Sequence, residues 1–201
     1  MRALKTNRVN VMNKAEKHAL AQKVIQETKS WVENVIVKNN ICPFAETPFK
    51  QNTIHYKVSH ATVIDDVIDS LVDALIDFDE SDPDETETAL LVLPRALADF
   101  DDYNQFLDVV DSALEELELV DVIRVDSFHP EYCFAGLEQD DVQNYTNRSI
   151  YPMFLFKREE SLEHARANYP NAKEISENNM KTLQEMGLEA VLEQRKRCLA
   201  K

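Results

Sequence analysis

"TALLVLP", residues 88–94, is the stretch on which the fold turns. It is a short apolar run without polar alternation, closed by a proline, and it suits a strand buried on both faces. The pattern extends outward from it on either side. Upstream, the acidic segment 79–87 holds an Asp82-Pro83-Asp84 loop. Before that, Val63, Val67, Leu71, Ala74, Leu75 and Phe78 recur at helical spacing, with Thr62 placed to cap the helix and Asp65 and Asp66 near its positive end. Earlier still, "TIHYKVS" (53–59) alternates and is rich in strand formers. Downstream, a helix over about 101–117 turns Phe106, Val109, Val110, Leu114 and Leu117 inward, and "VDVIRVDSF" (120–128) reads as a strand.

Strand, helix, strand, helix, strand is the order that crossover connections convert into a parallel sheet. "MFLFKR" (153–158) adds a fourth strand after a long irregular connection, and is expected antiparallel at an edge. The expected fold is therefore α/β (or α+β): a layered, about four-stranded mixed sheet packed with helices, with long helices at both ends. The N-terminal helix spans 14–38, carries Leu20, Val24, Trp31 and Val35, and stops at Asn39-Asn40 and Cys42-Pro43. A short helix begins near Ser161 and is over by Tyr169-Pro170. The last helix spans roughly 174–198, with Gly187 as a break and a basic end, "EQRKRCLAK", at the negative helix pole. Residues 1–13 read as a flexible arm and 14–201 as a single α/β domain.

Composition narrows the function. Hydrophobic residues make up 44% of 201, enough for a substantial core. Gly136 and Gly187 are the only glycines, so neither a P-loop nor a dinucleotide fingerprint can be written. A net charge of -15 repels nucleic acid and anionic membranes. No apolar run reaches membrane-spanning length, and the N-terminus has no secretory core. Cys42, Cys133 and Cys198 are scattered without a CxxC pair, which fits a reducing, cytoplasmic setting.

The segment 128–152, "FHPEYCFAGLEQDDVQNYTNRSIYP", follows neither periodicity and concentrates polar chemistry between two apolar runs. Together with 39–45 it supplies the candidate residues. Cys42 reads as a buried small hydrophobe or as a reactive thiol, and its place after a helix disfavours the thiolate. His129, at a strand end where α/β sheets bind ligands, suits an acid, a base or a pin for the loop that follows. Arg148 has a fork that matches carboxylate or phosphate, unless Asp140 or Asp141 takes it. Asn144, Asn147 and Ser149 add neutral donors, and Tyr145 and Tyr151 flank them. His129 and Cys133, four apart, are weak evidence for zinc even with Cys42, and adjacent Asp140-Asp141 are weak evidence for a hard cation. No metal and no cofactor are assigned.

Three blocks, "NNICPFA" (39–45), "FHPEYCF" (128–134) and "NYTNRSIYP" (144–152), resemble in order those of the domain of unknown function 1415 family of bacteria and plastids. The likeness covers nearly the whole chain after the arm. The family's form of the last block is closer to "NRSPYP", followed by a strand containing a histidine and ending in Arg-Glu. Here Ile150 stands at that proline and Leu155 at that histidine, while Arg158-Glu159 match. The resemblance implies a shared site and no particular reaction. The expectation is a pocket for a small anionic metabolite, with His129 as acid or base and Arg148 as anion clamp. Cys42, Asn144, Asn147, Ser149 and Tyr151 would bind the ligand. The alternative is a non-catalytic protein whose acidic surface meets a basic partner.

Overall fold

The computed structural model describes residues 12–167 and 174–199. The arm expected over 1–13 lies almost wholly outside them, as does the helix stop at Tyr169-Pro170. Helix α1 (Lys14–Trp31) starts at a reciprocal cap: Glu16 N–H donates to Asn13 Oδ1 at 3.0 Å, and Asn13 N–H to the Glu16 carboxylate at 2.8 Å. The helix does not run regularly to residue 38. Val32–Val37 form a π-helical turn, closed by Lys38 N–H donating to Glu33 O at 3.0 Å. The wider turn buries Trp31, Val32, Val35 and Ile36 together. A short α2 (Glu46–Gln51) then leads into β1 (Ile54–Val58).

Helix α3 (Ile64–Glu80) begins at Val63 without a side-chain cap, so Thr62 does not serve as one. Its Val67, Leu71, Leu75 and Phe78 are buried; each such side chain stabilises the fold by roughly 1.5–3 kcal/mol. β2 (Thr88–Val92), α4 (Phe100–Glu116), β3 (Ile123–Phe128) and β4 (Met153–Arg158) follow, then α5 (Glu159–Ala167), α6 (Ile175–Met186) and α7 (Leu188–Arg197). The long last helix is thus two, divided at Gly187, whose φ of 77° side chains rarely adopt.

The sheet order is β1-β2-β4-β3, with β1 and β2 parallel and β4 antiparallel to both its neighbours. The fourth strand therefore runs in the expected direction but lies inside the sheet, not at its edge. It can do so because Met153, Phe154 and Phe156 are apolar on both faces and fully buried. Side chains alternate between two cores. Ala89, Leu91, Phe154 and Phe156 pack on α3 and α4, while Leu90, Val92 and Met153 meet Trp31, Ile36, Tyr145, Leu183 and Val191. Tyr103 ties two strands together: its hydroxyl donates to Met153 O at 2.8 Å and accepts from Phe128 N–H at 3.0 Å.

Candidate functional site

The segment after β3 folds into a knot of hydrogen bonds. His129 is fully buried and shares two backbone bonds with the 144–152 block: its N–H donates to Asn147 O at 3.2 Å, and its carbonyl accepts from Ser149 N–H at 3.3 Å. Its ring is used twice. Nδ1 accepts from Glu131 N–H at 3.0 Å, so Nε2 carries the proton and donates to Leu97 O, also at 3.0 Å. Burial outweighs the nearby Leu97 carbonyl and Glu131 and lowers its pKa below the ordinary histidine value. In this arrangement a neutral imidazole pins the loop, and neither nitrogen is open to a substrate.

Arg148 turns inward as well. Nε donates to Tyr132 O at 2.8 Å, and Nη2 to Gln139 O at 2.6 Å and Gln139 Oε1 at 3.0 Å, with the guanidinium over the Tyr145 ring. Loop carbonyls, not Asp140 or Asp141, receive these bonds. Asn144 is fully buried between Phe134 N–H (3.0 Å) and Glu138 O (2.8 Å). Ser149 donates to Tyr151 O, and the Ser149 carbonyl takes two bonds from Arg195 of α7 at 2.7 and 3.1 Å. Tyr151 donates to the buried Glu27 carboxylate; burial and that carboxylate raise the phenol's pKa.

A cleft of about 380 Å³ opens elsewhere, on the sheet face covered by α1 and the π-helical turn. It takes in Cys42 and Asn147 from the expected residues and leaves His129, Arg148, Asn144, Ser149 and Tyr151 outside its lining. The strand end at His129, after β3, was the expected location. The cleft instead lies toward the starts of β1 and β2, at Ile54 and Thr88, where antiparallel β4 brings Lys157 opposite Thr88. Most of its wall is apolar, including Trp31, Val32, Ile36, Phe44, Phe128 and Leu155.

Polar groups gather among them. Lys157, 15% exposed, is ion-paired with Asp126, which also meets Arg124 Nε at 3.3 Å. The register sets Lys157 directly across from Arg124, so Asp126 separates two like charges that would otherwise repel. Leu155, where the resemblance implies a histidine, lies opposite Asp126. Asn147 donates to Ser127 O at 3.1 Å, and Asn179 of α6 holds Ile41 O at 2.6 Å. Cys42 follows a turn, not a helix end. Burial raises its thiol pKa, opposed by the Lys157 ammonium and by the nearby Phe44 and Ala45 backbone, and reinforced by Asp126. Burial also raises the Glu87 carboxyl on the cleft wall. Trp31 is 2% exposed, and its indole N–H has no hydrogen-bond partner among the described residues. Such a buried donor costs about 1–3 kcal/mol.

A family model described as a protein of unknown function (DUF1415) matches residues 23–193. The chain belongs to that family. The DUF1415 match contains all three sequence blocks, His129, Asn144, Arg148, Ser149 and Tyr151 of the knot, and the whole cleft lining. No curated protein and no solved structure matches the chain. Among the described residues no helix is long and apolar enough to cross a membrane, and no three His, Cys, Asp or Glu side chains are placed to share a metal ion.

Sequence reasoning missed Lys157, Asp126 and Trp31 as site residues. Lys157 and Asp126 had a signal, since each is a charge on a strand otherwise read as core. Trp31 had none, because a tryptophan on an apolar helical stripe reads as packing.

Proposed function

We propose that the cleft binds a small molecule with an apolar body and a carboxylate or phosphate head. One observation carries the reading: apolar walls enclosing about 380 Å³ meet a partly buried ammonium, Lys157, with the Asn147 amide and the Cys42 thiol on the same lining. Ligand sites typically have this size and this mix of apolar wall and few polar groups. Lys157 can turn to a ligand head because Arg124 still neutralises Asp126. In this reading the knot of His129, Arg148, Asn144 and Ser149 is a frame. It holds Asn147 against β3 and forms one side of the cleft.

Thermal-shift measurements with straight-chain carboxylates from acetate to octanoate, and with the matching alkyl phosphates, test this. A ligand at a hundred times its Kd adds about 2.7 kcal/mol, which at this chain length is roughly 5–10 °C in Tm. Stabilisation should grow with chain length, weaken in Lys157→Met, and vanish in Ala165→Trp, which fills the cleft from α5. Flat melting curves across both series, or an equal shift in Ala165→Trp, would refute the proposal.

A further inference from the structure

We infer that the ligand of this cleft is an α-amino acid with an apolar side chain, its carboxylate held by Lys157 and Thr88 and its ammonium by Glu87. The inference deepens the binding reading above and rests on it.

The sheet register lays out the cleft floor in rows. Thr88 stands directly opposite Lys157, and one step further along the strands Leu90 stands opposite Leu155. Directly opposed residues of neighbouring strands project from the same face, so a polar pair gives way to an apolar pair. All four line the cleft. Beyond them, Phe128 packs edge-on against Trp31 with ring centroids 5.6 Å apart. Glu87 immediately precedes Thr88 and lines the cleft beside it.

The charged side chains of the lining are Glu87, Asp126, Lys157 and Arg158. Three of them have partners. Lys157 and Asp126 pair with each other, and Asp126 also with Arg124. The Arg158 guanidinium donates to the carbonyls of Phe78 and Ser81 at 2.8 and 2.9 Å. Glu87 is the fourth. Among the described residues no group donates to its carboxylate or pairs with it, and the Thr88 hydroxyl has no partner either. Both residues are half-buried, and their oxygens are not sealed from solvent, so both remain open to a ligand. Loss of solvent already disfavours the Glu87 carboxylate, and an ammonium beside it would offset that effect.

A plain carboxylate would take Lys157 and add a negative charge to a wall that holds Glu87 unpaired. A zwitterion adds none. In an α-amino acid both charged groups hang from one carbon, just as Glu87 and the Thr88–Lys157 pair share one end of the cleft. The side chain then runs along the apolar row toward Phe128 and Trp31. An ω-amino acid would instead carry its ammonium into that apolar region, where an unpaired charge is strongly disfavoured.

Isothermal titration calorimetry of the full chain near neutral pH, with hexanoate, L-2-aminohexanoate and 6-aminohexanoate, tests the assignment. A charged hydrogen bond corresponds to about tenfold in affinity or more. L-2-aminohexanoate should therefore bind about tenfold tighter than hexanoate, and 6-aminohexanoate no tighter than hexanoate. Glu87→Gln should erase the advantage of L-2-aminohexanoate and leave hexanoate binding no weaker. Its urea midpoint should match the parent's, since this carboxylate has no partner to lose among the described residues. Lys157→Met should weaken both ligands. Equal affinity for hexanoate and L-2-aminohexanoate in the parent, or an advantage that persists in Glu87→Gln, overturns the inference and leaves the binding reading standing. Tighter binding of 6-aminohexanoate than of L-2-aminohexanoate does the same. Absence of both heat and thermal shift with all three compounds sinks both.

Discussion

Replacing Arg148 by alanine separates two roles for this residue, because they differ in stability by several kcal/mol. The side chain is 8% exposed and makes three hydrogen bonds, two of them to the main-chain carbonyls of Tyr132 and Gln139. Bonds to a charged donor contribute about 1.5–3 kcal/mol each, and removal leaves two carbonyls without that donor. Loop relaxation and the recovered solvation cost of a guanidinium offset part of the sum. The net expectation is a loss of about 3–4 kcal/mol, a large share of the ~5–15 kcal/mol that domains have. Arg148→Lys keeps the charge but cannot span both carbonyls, and should lose about 1–2 kcal/mol. Urea unfolding followed by Trp31 emission and far-UV circular dichroism reads this directly. With a slope of about 2–3 kcal/mol per molar, Arg148→Ala should move the midpoint down by roughly 1–2 M. A clamp reserved for ligand would cost almost no stability. A shift below about 0.3 M, together with loss of carboxylate binding, would therefore refute the frame role argued from these bonds.

His129 carries a pH signature. Its folded pKa is lowered by burial, so between that value and the unfolded value of about 6.5 the unfolded chain holds more protons. Its stabilising contribution is complete above about pH 6.5 and is lost as pH falls toward the folded value. Urea midpoints of the parent and His129→Gln should thus lie closer together at pH 5 than at pH 7.5, His60 contributing alike to both; a constant gap contradicts the buried neutral ring. Tyr103→Phe leaves Phe128 N–H and Met153 O without their shared partner at a fully buried position, and should cost about 1.5–3 kcal/mol by the same unfolding assay. A change under about 0.5 kcal/mol would mean the hydroxyl bridge contributes nothing net.

The elements themselves were legible because each has a local cause. Period two in 53–59, period 3.6 in 63–78 and the apolar run at 88–94 gave β1, α3 and β2 to within a residue or two. The π-helical turn was not legible, since one extra residue per turn leaves the apolar stripe of α1 looking continuous. The position of β4 was hidden for a different reason. Hydrophobicity on both faces says that a strand is covered, while its neighbours are chosen by pairing with residues far along the chain.

For the site, the sequence by itself located the polar segment and its partner blocks, and their mutual contact follows from bonds such as His129 N–H to Asn147 O. Only the tertiary structure decided which way each side chain faces. His129 and Arg148 have the chemistry of an active site, but their donors and acceptors are taken by main-chain groups of Leu97, Glu131, Tyr132 and Gln139. Cys42, Asp126 and Lys157 come from a turn and two strands, far apart in the chain. They line one cleft, and Lys157 reaches Asp126 there because antiparallel insertion of β4 sets its last residues against the start of β2 and beside β3. Local sequence states what a residue can do; strand register and burial decide which residues are placed to do it.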